Sequence, residues 1–164
     1  MYHLWSIKCK KRIFSYRKTI NQYGNLKYKY FSFPKDIYIL ILIPFKIIYF
    51  RQKVNRVGFN TMLSGLEGKG LTGTADKRFL SKFNKFYRAS TFFLVRIFKD
   101  PNPCMIRSLI LYGLCTRYNI KASLLTGVSK KADVLTGHSW LEIDGNPINE
   151  NRVYISNFTV IYKV

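Results

Sequence analysis

Cys104 and His138 are the residues of this 164-residue chain whose types and settings point to nucleophilic chemistry. Cys104 follows Asp100-Pro101-Asn102-Pro103, a stretch that ends one element and starts a helix, with Asn102 as N-cap and Pro103 as first helical residue. The first turn of a helix offers unpaired N–H groups and the positive end of the dipole, and both favour a thiolate. His138 is the one histidine outside the extreme N-terminus, so any imidazole acid–base work falls to it and not to His3. An unpaired cysteine on a helix is most often a small buried hydrophobe. Cys115, near the end of the same helix, fits that bland description, and Cys9 has no partner in view. The co-occurrence of a helix-start thiol and a downstream imidazole favours acyl chemistry.

A third group must orient the imidazole, and hairpin register decides which one. Period two along Gly137 to Ile143 puts His138, Trp140 and Glu142 on one face. A three-residue loop at Asp144 to Asn146 would pair Ile143 with Pro147 and put Glu150 opposite Trp140, diagonal to His138. A two- or four-residue loop flips the parity and offers Asn149 or Asn151 instead. Glu142 and Asp144 rank below these. Trp140 is expected to wall the site from water or stack on a substrate chain. With two histidines and no closely spaced cysteine pair, a metal is not expected, and no cofactor is expected either.

The elements that must hold these residues can be read more coarsely. Phe33-Pro34-Lys35-Asp36 reads as a turn and helix start, with Asp36 as N-cap. The apolar run Ile37 to Phe50 then bends at Pro44 into a helix pair reaching about Gly58. Gly58 to Gly73 reads as a flexible linker; its Gly68-x-Gly70 is too weak a phosphate-loop hint to use. A helix with an aromatic stripe (Phe79, Phe83, Phe86, Tyr87) opens at Thr74 to Lys77. After the Cys104 helix, Asn119 reads as a left-handed terminator. A strand over Lys121 to Val128 follows, then a polar loop over Ser129 to Thr136 and a strand over Gly137 to Ile143. A third strand begins at Ile148, and Val153 to Val164 supplies a fourth. The fold class expected is α+β. The cysteine at a helix N-terminus packs on a small antiparallel sheet carrying histidine and acid, behind N-terminal apolar helices.

The length suits one domain over 36–164, with a catalytic core about 75–155 and a basic tail over 1–35. Hydrophobic residues make up 48%, which argues against disorder. Three widely spaced cysteines favour a reducing, cytoplasmic setting over a disulfide framework. The net charge of +20 points to an acidic peptide, an anionic membrane surface or a nucleic acid as partner, without choosing among them. The second half of the apolar run, PFKIIYFRQKVNRV, reads as a basic amphipathic helix usable as core or at a membrane surface, with the core preferred. The run is too short and too interrupted to span a bilayer.

Cys104, Arg107, Ser108 and Leu109, then Leu125, Gly127 and Val128, then His138-Ser-Trp-Leu-Glu-Ile-Asp-Gly-Asn-Pro resemble the lasso-peptide leader peptidases, the B-type transglutaminase-like cysteine proteases. Their pattern is His-Ala-Trp-Val-Glu followed by Asp-Gly, from which Ser139 and Leu141 depart. The resemblance covers about 75–155. It implies a triad of Cys104, His138 and Glu150, with Glu150 standing where the family has an aspartate, and Arg107 and Trp140 in support. It further implies cleavage of a ribosomally made lasso precursor between leader and core, before an ATP-dependent cyclase closes the ring. Family members pair with a winged-helix leader-recognition domain. Nothing before the core reads as one, so a separate recognition protein is expected, and no nucleic acid.

Two other readings compete. One is a transglutaminase-like acyl transfer to another acceptor by the same residues. The other is a non-enzymatic basic nucleic-acid or membrane binder in which Cys104 and His138 are bystanders.

Overall fold

Asp100, more than Asn102, sets where the helix carrying Cys104 begins. The computed structural model describes residues 36–65, 71–131 and 133–164. His3, Cys9, the basic tail and the Gly68-x-Gly70 hint lie outside the described residues. Asp100 Oδ1 accepts the Asn102 N–H at 2.8 Å, and Asp100 Oδ2 pairs with Arg51 at 3.0 Å. Asn102 does occupy the N-cap position, but its side chain makes no capping bond.

Nine elements follow from residue 37. Helix α1 (Ile37–Val57) leads to a short α2 (Phe59–Ser64). Helix α3 (Lys77–Phe92) ends in a wider π turn over Phe93–Ile97, and α4 is Pro103–Arg117. Strands β1 (Ala122–Lys131), β2 (Val134–Ile143) and β3 (Asn146–Pro147) precede the one-turn helix α5 (Arg152–Ile155) and β4 (Thr159–Lys163).

Helix α1 runs unbroken through Pro44, where a split into a pair of helices is expected from the sequence. Its buried residues, Ile39 and Ile43 before the proline and Ile47 and Phe50 after it, stay in phase on one stripe. Packing along that stripe outweighs the single backbone hydrogen bond a proline removes. The expected linker is also partly built: Met62 and Leu63 of α2 are fully buried. Gly73 exchanges backbone hydrogen bonds with Asn119 and Lys121, both at 2.8 Å. A Cβ at Gly73 would lie 2.4 Å from the Asn119 carbonyl oxygen, so only glycine allows the approach.

Asp76 caps α3, its carboxylate accepting the Phe79 N–H at 2.7 Å, and Phe79, Phe83 and Phe86 are core, as the stripe implied. Helix α4 is buried on most of its surface, from Ile106 through Cys115. Asn119 follows it in the left-handed region, with φ 55°.

The sheet has the order β3-β2-β1-β4. β1 and β2 pair from Ala122↔Ile143 out to Lys131↔Val134, so the residues read as a polar loop mostly extend the ladder. Val134, Leu135 and Thr136 are strand formers and keep the alternation going. Leu124, Leu141 and Ile143 lie on the face that α4 covers. Leu125 and Trp140 lie on the other, where Phe158 and Ile155 close a second small core. Gly127 admits that core: a Cβ there would come 2.9 Å from Phe158 Cβ and 3.1 Å from the Trp140 ring. Gly127→Ala is therefore expected to lower stability by about 1–3 kcal/mol, measured by chemical denaturation.

Two further expectations are corrected. The β2–β3 loop holds two residues, not three, because Asp144 and Gly145 both take positive φ (51° and 73°), the geometry of a tight type I′ turn. Ile143 therefore pairs with Asn146, and Glu142 with Pro147. The last segment is not a continuous strand from Val153: Asn151 Oδ1 caps α5 by accepting the Val153 N–H at 2.9 Å, and β4 begins only at Thr159.

Candidate active site

Cys104 is the second residue of α4, half-buried. One turn on, Ser108 Oγ donates to the Ser139 carbonyl at 3.0 Å. The Ser139 backbone N–H lies close enough to Cys104 to favour its thiolate. Strand β3 pairs with β2 only at Glu142 and Ile143, so Ser139 lies past its end and is free to meet α4. Thr126 Oγ1 lies 3.0 Å from Ser139 Oγ and fixes the side chain too. Two residues four apart on one helix thus clamp the backbone beside His138, which sets the helix against the strand.

His138 Nε2 lies 3.2 Å from Glu150 Oε2. The imidazole also lies close enough to Cys104 for each group to shift the other's ionisation. Glu150 is shared: its Oε1 accepts from Arg107 at 3.1 Å. Arg107 is 4% exposed. Its guanidinium lies 4.6 Å from the centre of the Tyr87 ring, and it also reaches Thr91 Oγ1 at 3.4 Å. A buried cation thus faces the carboxylate on one side and an aromatic face on the other.

Three aromatics wall the imidazole. Trp140 stacks near-parallel at 6.0 Å, Tyr154 meets it edge-on at 5.3 Å, and Phe158 is tilted at 5.5 Å. This wall lowers the local dielectric, so the charges inside it act more strongly than in water.

The electrostatics follow from that enclosure. Burial by itself would push the Cys104 thiol up. The hydrogen bond and charge of His138, the Arg107 guanidinium and the Ser139 N–H together outweigh it, and hold Cys104 below the ordinary cysteine range. Burial likewise disfavours a charged His138, but its bonds to Cys104 and Glu150 push the imidazole up to about 9. A thiol shifted down beside an imidazole shifted up favours the thiolate–imidazolium form of the pair. Cys115 is the contrast: burial pushes it up to about 12.

Of the residues expected from sequence, Cys104, His138, Glu150, Arg107 and Trp140 come together, and Asn149 and Asn151 do not. Asn151 is spent on the α5 cap. Asn149 Nδ2 donates to Asn84 Oδ1 at 2.9 Å, and its carbonyl accepts from Tyr87 at 3.4 Å, which ties this turn to α3. Glu150 arrives by a route different from the one expected. The short hairpin loop should have turned it off the His138 face, but the strand ends at Pro147 and Asn149 then takes φ 58°. The left-handed turn, not strand alternation, swings Glu150 back toward the imidazole. The acid therefore sits on a loop and not on the sheet. Glu142 is engaged elsewhere, 3.5 Å from Trp140 Nε1 and 3.9 Å from Lys163. Asp144 stays in the hairpin turn.

Tyr154 and Phe158 are the site residues that sequence reading missed. Their segment was taken as a strand, whereas Asn151 followed by a short helix would have placed them over the sheet. Among the described residues no group of three or more His, Cys, Asp or Glu side chains could hold a metal ion.

Residues 75–163, more than half of the chain, match the family model described as Transglutaminase-like superfamily. No curated protein and no solved structure matches the chain.

Proposed function

The chain belongs to the transglutaminase-like superfamily, and within it we propose a cysteine peptidase that removes the leader from a ribosomally made lasso-peptide precursor before macrocyclisation. The observation that carries the peptidase reading is the convergence of Cys104 and His138 on one site, with Glu150 bonded to both His138 and Arg107, the thiol shifted down and the imidazole shifted up. The precursor class rests on the sequence pattern around Cys104 and His138.

In this reading the Cys104 thiolate attacks the scissile carbonyl, and the carbonyl electron pair moves onto oxygen. The Cys104 backbone N–H, unpaired within the first helical turn, donates to that oxyanion. As the C–N bond breaks, His138 gives its proton to the departing amine, leaving an acyl thioester on sulfur. Water then attacks the thioester, His138 takes the water's proton, and the thiolate leaves. Glu150 keeps the imidazole turned toward sulfur, and Arg107 keeps Glu150 in place. The partners are the precursor, a separate leader-recognition protein and an ATP-dependent cyclase that uses the freed amine.

Incubating the full-length chain with a synthetic precursor, with and without a recognition protein, tests this by mass spectrometry. Two fragments whose masses sum to precursor plus one water are expected. A crosslinked product would replace hydrolysis with acyl transfer, and an untouched precursor under all conditions would sink the proposal. Cleavage should rise as Cys104 ionises, below the ordinary cysteine range. It should fall again as His138 loses its proton near about 9, because the leaving amine then has no donor.

A further inference from the structure

Helix α1 is apolar on two opposite sides, and the packing of the described residues uses one of them. Ile39, Ile43, Ile47 and Phe50 are buried. At 100° per residue, Ile37, Tyr38, Ile41, Phe45, Ile48 and Tyr49 fall on the reverse side. All six are exposed, Ile41 at 59% and Phe45 at 69%. A helix that is apolar all round is ordinarily covered all round. Among the described residues, nothing covers this stripe, which runs about 18 Å along the axis.

The charges around the stripe say what suits it. Helix α1 carries Lys46, Arg51, Lys53 and Arg56 and no acid. Arg51 is paired with Asp100, while Arg56 continues the line of the stripe and Lys53 lies beside it. A second copy of the chain would bring another +20 of charge against the first, which opposes association. A nucleic acid would answer the cations but not the isoleucines, which cannot stack on bases. An anionic lipid surface answers both: aliphatic and aromatic side chains enter the acyl boundary while cations meet headgroups. No helix among the described residues is long and apolar enough to cross a membrane, so the fit is to lying on one.

We propose that the outer face of α1 docks this protein on an anionic membrane surface, with Ile37, Ile41, Phe45 and Ile48 entering the lipid and Lys53 and Arg56 facing its headgroups. This goes beyond the peptidase reading and does not depend on it.

Co-sedimentation of the full chain with phosphatidylcholine vesicles, with or without phosphatidylglycerol, reads the proposal directly. The wild type is expected to bind the phosphatidylglycerol vesicles at least about tenfold more tightly than the neutral ones. The double variant Ile41→Glu/Phe45→Glu should lose about tenfold or more of that binding, with an unchanged circular dichroism spectrum showing that it is folded. If that variant proves misfolded, Phe45→Ser serves, since that side chain lies furthest out. Three results would overturn the proposal. One is no binding by the wild type. A second is equal binding by the folded variants, which would assign the attraction to charge elsewhere. The third is a wild-type dimer that Phe45→Glu makes monomeric, which would assign the face to a second copy.

Discussion

Cys104→Ala is expected to abolish precursor cleavage, a loss of about 10⁴-fold or more, while leaving the fold in place. The sulfur is the atom that bonds to substrate, and no neighbouring side chain can replace it. The structural cost is small by comparison. Cys104 is half-buried, and alanine in the first turn of α4 keeps the helix, its proline start and the Ser108–Ser139 bond. What is lost is one hydrogen bond to His138 and one from the Ser139 N–H, about 1–2 kcal/mol together. Thermal unfolding should move by a few degrees while activity disappears. Persistent cleavage by a folded Cys104→Ala protein would show that the thiol is a bystander.

Arg107→Met should act on stability and activity together. Methionine fills much of the same volume but leaves Glu150 Oε1 without its guanidinium partner. Breaking a buried pair from one side costs about 3–5 kcal/mol; the Arg107 and Glu150 side chains here are 5% and 12% exposed. Without Arg107 the Glu150 carboxylate is no longer held against His138, and activity falls with it. Adding Glu150→Gln to Arg107→Met removes the stranded charge. The double variant should therefore unfold at higher denaturant than the sum of the single changes implies, while remaining poorly active. Arg107→Lys should not restore function, since one ammonium cannot contact Glu150 and Thr91 while stacking on Tyr87. Equal and additive losses of stability would mean that the pair is not coupled.

Residues with local grammar were legible in the sequence. A proline-started helix made Cys104 a thiolate candidate, and the alternation of β2 put His138 and Trp140 on one face; the structure keeps both arrangements. Glu150 was reached for a reason that does not hold. The tight turn at Asp144 and Gly145 set the opposite parity, and the left-handed turn at Asn149 undid it. That second turn is held by Asn84 and Tyr87, more than sixty positions earlier in the chain, and no local pattern announces such a staple. The continuity of α1 through Pro44 is of the same kind: a local breaker is overruled by a stripe packed on distant helices. Arg107 was carried by a motif, but its bridging role depends on four residues from three other elements or loops. Contacts of long sequence separation are where local reading stops.

The central claim is that Cys104 is held as a thiolate by His138. Alkylation of Cys104 by iodoacetamide across a pH series, followed residue by residue by mass spectrometry, tests it most directly. The expected result is a Cys104 reactive well below the ordinary thiol range, an unlabelled Cys115, and a return of Cys104 toward higher pH in His138→Ala. A Cys104 that ionises only in the ordinary range or above it, unmoved by His138→Ala, would contradict the account.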